Sequence, residues 1–127
     1  MSARIAIGVG CRLGCPADAI ESLVRQALEQ ASVTGAKSLF TIQDKANEPG
    51  VIEAARRLQL DLIPLSRAAL RAESARIQTR SERAEQAFGV PSVAEAAALA
   101  GGGPNAILIV PRVAKQGATC AVAVSPS

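Results

Sequence analysis

The 127-residue chain has no histidine, no tryptophan and no tyrosine, and its aromatic content is two phenylalanines. The missing histidine removes Ser-His-Asp and Cys-His catalysis, together with every histidine-containing zinc site. With so few aromatic platforms, base stacking is also excluded, and with it the usual means of holding single-stranded nucleic acid. Cysteine is scarce as well. Three residues make an odd set, better read as reduced thiols than as a disulfide framework. No apolar run approaches the length needed to cross a bilayer, and residues 1–10 lack the charged region, apolar stretch and cleavage site of a signal peptide. The expectation is a cytoplasmic protein with neither membrane nor nucleic-acid partners.

What is present is aliphatic. A hydrophobic content of 49% in 127 residues suffices for one domain, residues 1–127, whose core of Ala, Val, Ile and Leu needs no disulfide or metal. The net charge of +3, from 14 Lys+Arg against 11 Asp+Glu, is mild and dispersed, and favours small anionic partners.

Residues 4–9 (RIAIGV) form an apolar run that ends in a glycine-rich turn; Pro16 follows, then Ile20, Leu23, Val24, Ala27 and Leu28 at helical spacing. This predicts strand, tight turn and amphipathic helix, with Gly35 ending the helix. Residues 38–42 (SLFTI) read as a second strand. A helix opening at residues 47–49, capped by Asn47, continues through Ile52, Ala55 and Leu58, and residues 61–65 form a third strand. Residues 66–88, rich in Arg, Glu, Ala and Ser, predict a short helix, an exposed loop around 75–81 and another helical turn, all mobile. Ser92 and Glu95 have capping-box spacing ahead of residues 96–99, and residues 101–103 with Pro104 stop that helix. Residues 106–110 and 119–124 are the last strands, joined by a hairpin loop at 111–118 that carries Arg112 and Lys115.

Strands alternating with helices predict an α/β fold, a single compact three-layer domain. Its mostly parallel sheet of about five strands has helices on both faces, the last two strands being antiparallel. Ligands of such sheets bind beyond the carboxyl ends of the strands, which gathers residues 8–15, 43–50 and 111–117 on one rim.

The turn GVGCRLGCP carries the chemistry. Gly8, Gly10 and Gly14 between strand and helix can present N–H groups to an anion, or can simply let the helix pack closely on the sheet. Packing is the reading for Gly8, and anion binding for Gly10 with Arg12. A dinucleotide-binding turn with Asp44 as ribose acceptor is a further alternative, but G-x-G-x-x-x-G is not its pattern. Cys11 and Cys15 have no base for nucleophilic catalysis and too few partners for a metal, and Cys120 reads as a core residue. Lys45 suits an anionic ligand or a solvated surface equally, Glu48 can serve the first turn of its helix, and residues 67–83 read as a solvated charged segment.

The blocks GVGCRLGCPADAI, TIQDKANEPGVIEAARRLQLDLIPLS, GVPSVAEAAALA and AILIVPRVAKQGATCAVA, in this order, resemble the CobE/CbiG C-terminal family of cobalamin (vitamin B12) biosynthesis proteins over nearly the whole chain. Position by position, the resemblance falls on Gly8, Gly10, Cys11, Arg12 and Gly14, on Lys45 and residues 48–50, and on residues 89–99 including Ser92. Cys15 stands where relatives usually carry Ser or Thr. The resemblance implies a carboxylate-fringed corrin or precorrin intermediate as ligand, of hydrogenobyrinic type, met by Arg12, Lys45, Arg112 and Lys115 without a metal or cofactor. It also implies other cobalamin-pathway enzymes as partners. CbiG-type proteins join this domain to further N-terminal sequence and open a lactone on a cobalt-bearing intermediate. The present chain resembles the free-standing form, which implies a binding, carrier or accessory module, with a small hydrolase or isomerase of a precorrin as the alternative.

Overall fold

The computed structural model describes residues 3–126, built as β1 (Ala3–Cys11), α1 (Ala17–Ala31), β2 (Gly35–Ile42), α2 (Pro49–Leu58), β3 (Leu62–Leu65), α3 (Arg67–Arg71), α4 (Glu82–Phe88), α5 (Val93–Gly102), β4 (Ile107–Lys115) and β5 (Ala118–Ser125). The five strands form one sheet in the order β3-β2-β1-β5-β4. β1, β2 and β3 pair in parallel, and β5 is antiparallel to both of its neighbours, β1 and β4. Four strands therefore share one direction and β5 opposes them. The mostly parallel sheet with an antiparallel final pair is as the element pattern predicts.

The two faces of the sheet differ in texture. Ile5, Ile7 and Val9 of β1, with Leu39, Cys120 and Val122, meet the buried stripe Ile20, Leu23, Val24 and Ala27 of α1, backed by Val51 and Ala54 of α2. Each large aliphatic side chain buried there contributes about 2 kcal/mol. The opposite face is nearly smooth: Ala6 and Gly8 of β1 and Ala121 and Ala123 of β5 lie under Ala94, Ala97 and Ala98 of α5. Small residues on both sides bring α5 onto the sheet. A Cβ on Gly8 would stand 1.9 Å from the Ala94 carbonyl oxygen and 2.6 Å from the Ala98 nitrogen. This is the layered arrangement of helices on both faces.

Several boundaries differ from the expected ones, each for a local reason. α1 ends at Ser32, in the left-handed region at φ 52°, so Gly35 opens β2 instead of ending the helix. α2 has Pro49 in its first turn and Glu48, not Asn47, at its N-cap. The expected hairpin loop at 111–118 is mostly strand: β4 runs to Lys115, and Gln116 and Gly117, at φ 52° and 87°, make a two-residue turn. Pro111 fits because β4 is an edge strand, with register irregularities between Leu108, Val110 and Val113 that spare its missing N–H. α5 continues through Gly101 and Gly102, stopping at Gly103.

Residues 66–88 form the expected short helix, largely exposed stretch and further helical turn, and the segment is tied to the rest of the fold at several points. Leu70 and Ile77 are buried, and the Arg76 guanidinium donates to the carbonyls of Ala106 and Gly103 and to Glu73.

Candidate functional site

The carboxyl ends of β1 to β4 open on one rim, where a cavity of about 640 Å³ lies between the β1–α1 turn, the β4–β5 hairpin and α4. Gly10 and Cys11 at the end of β1, with Ser92 and Val93 at the start of α5, form its floor. The floor exists because α5 begins beside Gly10, where a Cβ would stand 3.5 Å from Val93. One wall is Arg12 and Leu13 with the hairpin residues 114–119; the other is α4, through Ser81, Arg83, Ala84, Ala87 and Phe88.

Five cations line this cavity, Arg12, Lys45, Arg83, Arg112 and Lys115, and no carboxylate lines it. Among the described residues Arg12, Arg83, Arg112 and Lys115 form no ion pair, while the Lys45 Nζ lies 3.8 Å from Glu48 Oε1. Between the cations the lining is mostly apolar, with Leu13, which is 86% exposed, Ala84, Ala87, Phe88, Val93 and Ala114, beside the polar Ser81, Ser92, Gln116 and Thr119. Arg12 is held by its backbone, its N–H donating to the Gly117 carbonyl at 2.9 Å, so the turn and the hairpin are one unit. Such a site suits a molecule with an apolar body and several carboxylates at its edge.

Of the residues singled out in the sequence, Gly10, Cys11, Arg12, Lys45 and Ser92 come together at the cavity, as do Arg112 and Lys115. Gly8 lies beneath α5, as its packing reading has it. Gly14, at φ 75°, and Glu48 stand beside the cavity and engage one another, with the Gly14 N–H 3.4 Å from Glu48 Oε1. A carboxylate thus stands against an N–H of the turn that an anionic ligand would otherwise take. Asp44, the candidate ribose acceptor, is paired with Arg67 at 2.7 Å, and that hydrogen bond holds its carboxyl below the ordinary value. Arg67 in turn lies over the Phe88 ring, 5.5 Å from its centroid.

The thiols are poorly suited to nucleophilic attack. Burial pushes Cys11 up to about 11 despite nearby Lys45, raises Cys15 with help from Glu48, and pushes Cys120 up to about 12. No group of three metal-ligating Cys, Asp or Glu residues occurs among the described residues.

Two features escaped the sequence reading. Arg83 lies within the segment taken for a solvated face, and α4 buries no residue, so no periodicity marked it as a cavity wall. Glu95 pairs with Ser92 only halfway: the Ser92 Oγ accepts the Glu95 N–H at 3.3 Å, but the Glu95 carboxylate does not return to the cap. Instead its Oε1 accepts the N–H groups of Gln78 at 2.7 Å and Thr79 at 3.0 Å, and its Oε2 that of Arg112 at 2.8 Å. Burial pushes this carboxyl up, yet the hydrogen bonds from Arg112, Thr79 and Gln78 prevail and leave it below its ordinary value.

The cobalamin synthesis G C-terminus family matches residues 5–123. Protein CobE of Sinorhizobium sp is 32% identical over 123 residues, covering 95% of this chain and 80% of its own length. A cobalt-precorrin-5A hydrolase of Priestia megaterium is 32% identical over 125 residues, 96% of this chain but 32% of that protein, so the chain spans about a third of the hydrolase. Among solved structures, CobE from the cobalamin biosynthetic pathway superposes with a TM-score of 0.90 at 30% identity, over 99% of this chain and 93% of the other. Cobalamin biosynthesis protein chiG from Agrobacterium tumefaciens gives 0.76 at 35% identity, over 97% and 99%.

Proposed function

This chain belongs to the cobalamin synthesis G C-terminus family, and on that premise we propose that it binds a carboxylate-rich corrin or precorrin intermediate of hydrogenobyrinic type in the rim cavity, as a binding or carrier module working alongside other cobalamin-pathway enzymes in the cytoplasm. The observation that carries the reading is the cavity's charge: five cations around a mostly apolar lining, with no carboxylate among the lining residues. Gly10 and Cys11 would lie under the macrocycle, Ser92 would close the floor, and Arg12, Lys45, Arg83, Arg112 and Lys115 would meet the peripheral carboxylates. Gly8, Gly14 and Glu48 support the rim from outside the cavity. No helix among the described residues is long and apolar enough to cross a membrane.

A second reading, hydrolysis or isomerisation of a precorrin, is favoured by the identity with the cobalt-precorrin-5A hydrolase. It needs a general base or nucleophile near the ligand. The lining supplies neither carboxylate nor imidazole, and the thiol in its floor, Cys11, is held protonated by burial.

The discriminating experiment is an absorbance titration of the purified protein with a hydrogenobyrinic-type corrin and with precorrins, followed by chromatography of the recovered ligand. A saturable spectral shift with the ligand recovered unchanged is the expected result. Product accumulation would favour the enzyme, and no shift with any of the compounds would end the binding reading.

A further inference from the structure

Glu95 is the one buried acidic side chain among the described residues, at 0% exposure, and its three backbone hydrogen bonds reach one residue of the cavity lining, Arg112, and the stretch that precedes the α4 wall. Oε1 holds Gln78 and Thr79, the stretch that leads into α4. That lead is short and itself tied: Ser81 caps α4 by accepting the Ala84 N–H at 3.3 Å, and the Ser81 N–H donates to the Pro91 carbonyl at 2.8 Å, just before α5 begins. Arg83 sits in the first turn of α4, four residues beyond Thr79. Oε2 holds the Arg112 N–H, in the stretch of β4 where the register is irregular and no partner residue on β5 is assigned to Arg112. The carboxylate itself rides in the first turn of α5, where the helix dipole favours its charge.

Resting on the reading that the cavity takes a polycarboxylate, we propose that Glu95 is a positioning residue that fixes Arg83 and Arg112 relative to one another by bonding to the backbone of Arg112 and of the lead into α4. It does not line the cavity. Its two oxygens set the spacing of two cations that reach the cavity from α4 and β4. A neutral amide cannot do the same, because its NH2 would face one of the N–H donors and only one of the two stretches could stay bonded. Nor can a shorter acid. One methylene less on a helix already fixed against the sheet leaves the carboxylate short of at least one of them.

The test compares wild type, Glu95→Gln and Glu95→Asp by thermal unfolding, by amide hydrogen exchange without ligand, and by titration with hydrogenobyrinic acid. Glu95→Asp serves as the second variant, keeping the charge should Glu95→Gln not fold. Folding with faster exchange at Arg112 or at Gln78 and Thr79, and affinity lower by about tenfold, the effect of losing one well-aligned charge-assisted hydrogen bond, is expected. The decisive readout is a double-mutant cycle. In a chain carrying Arg83→Ala and Arg112→Ala, the Glu95 substitution should change affinity less than twofold, because no cations remain for it to place. The same tenfold loss in that background, or unchanged affinity in the folded single variants, would overturn the positioning role while leaving the binding reading intact. If wild type itself does not bind the corrin, the binding reading fails and the positioning role falls with it.

Discussion

Gly8→Ala tests the packing on which the cavity floor depends. The added Cβ would stand 1.9 Å from the Ala94 carbonyl oxygen and 2.6 Å from the Ala98 nitrogen, both backbone atoms that cannot swing aside. Relief requires α5 to retreat on the order of 1.5 Å, since carbon and oxygen rest comfortably at about 3.4 Å. Such a retreat opens a gap under Ala94, Ala97, Ala98 and Leu99, all buried, and a gap of about 1 Å already forfeits up to half of each contact's attraction. Overpacking against backbone belongs at the upper end of the usual range, about 3 kcal/mol. Alanine's restriction of the unfolded chain returns less than about 1 kcal/mol. The net loss of about 2 kcal/mol lowers the Tm by roughly 8 °C for a domain of this size.

Gly10→Ala is the control. Two residues along the same face of β1, its Cβ would meet the Thr119 Oγ1 at 2.7 Å, a side-chain atom that can rotate away, and Val93 at an ordinary 3.5 Å. Stability should change by less than about 1 kcal/mol, while the new methyl enters the cavity floor and weakens ligand binding. Urea and thermal denaturation of the apo-protein, read with a corrin titration, separate the two effects. Gly8→Ala as stable as wild type would refute the placement of α5 directly on β1.

Arg12→Ala should lower corrin affinity by about tenfold with the Tm unchanged, since an exposed loop cation adds little to folding but a charge-assisted bond to a ligand adds much; Lys37→Ala, near the start of β2, should alter neither. Cys11 should react only slowly with iodoacetamide at pH 7, the rate rising about tenfold per pH unit toward its value of about 11, whereas rapid alkylation at neutral pH would show an activated thiol. The Glu95 carboxyl lies below its ordinary 4.5 when folded, so its stabilisation is fully present above that ordinary value and fades as the pH falls through the folded value. Wild type should therefore exceed Glu95→Gln in stability at pH 7 by a margin that narrows in acid, as urea unfolding at several pH values would show.

The alternation of strands and helices was legible because branched aliphatics at period two and at helical spacing mark the two sides of one core, Ile5, Ile7 and Val9 against Ile20, Leu23 and Val24. The hairpin was not. Pro111, Arg112, Lys115 and Gly117 read as a loop, yet an edge strand tolerates charge, and its irregular register accommodates the proline. The α4 wall left still less trace. A seven-residue helix with no buried side chain has no hydrophobic period, and part of what anchors its approach is a carboxylate on a distant helix bonded to backbone N–H groups, which any residue type carries. The part of the site on the strand ends, Arg112 included, was therefore readable, and the α4 wall with Arg83 was not.

The same limit explains the glycines. Ala6, Gly8 and Gly10 stand on one face of β1 and are alike in the sequence, differing by at most a methyl group. Ala6 packs with Ala97, Gly8 lies under Ala94 and Ala98, and Gly10 is level with Val93, the first residue of α5. Beneath the helix a glycine permits contact between backbones. Beyond the helix start the same glycine is flanked by side chains, Thr119 and Val93, and lines the cavity. The site therefore begins where the covering helix begins, and what turns one small residue into a packing position and the next into a floor is the position of Ser92 as the cap of α5. Its hydroxyl accepts the Glu95 N–H and so begins the helix at Val93, level with the end of β1. One capping residue thereby sets both the edge of the cavity and the place of Glu95, whose carboxylate reaches the Arg112 backbone on one side and the lead into α4 on the other.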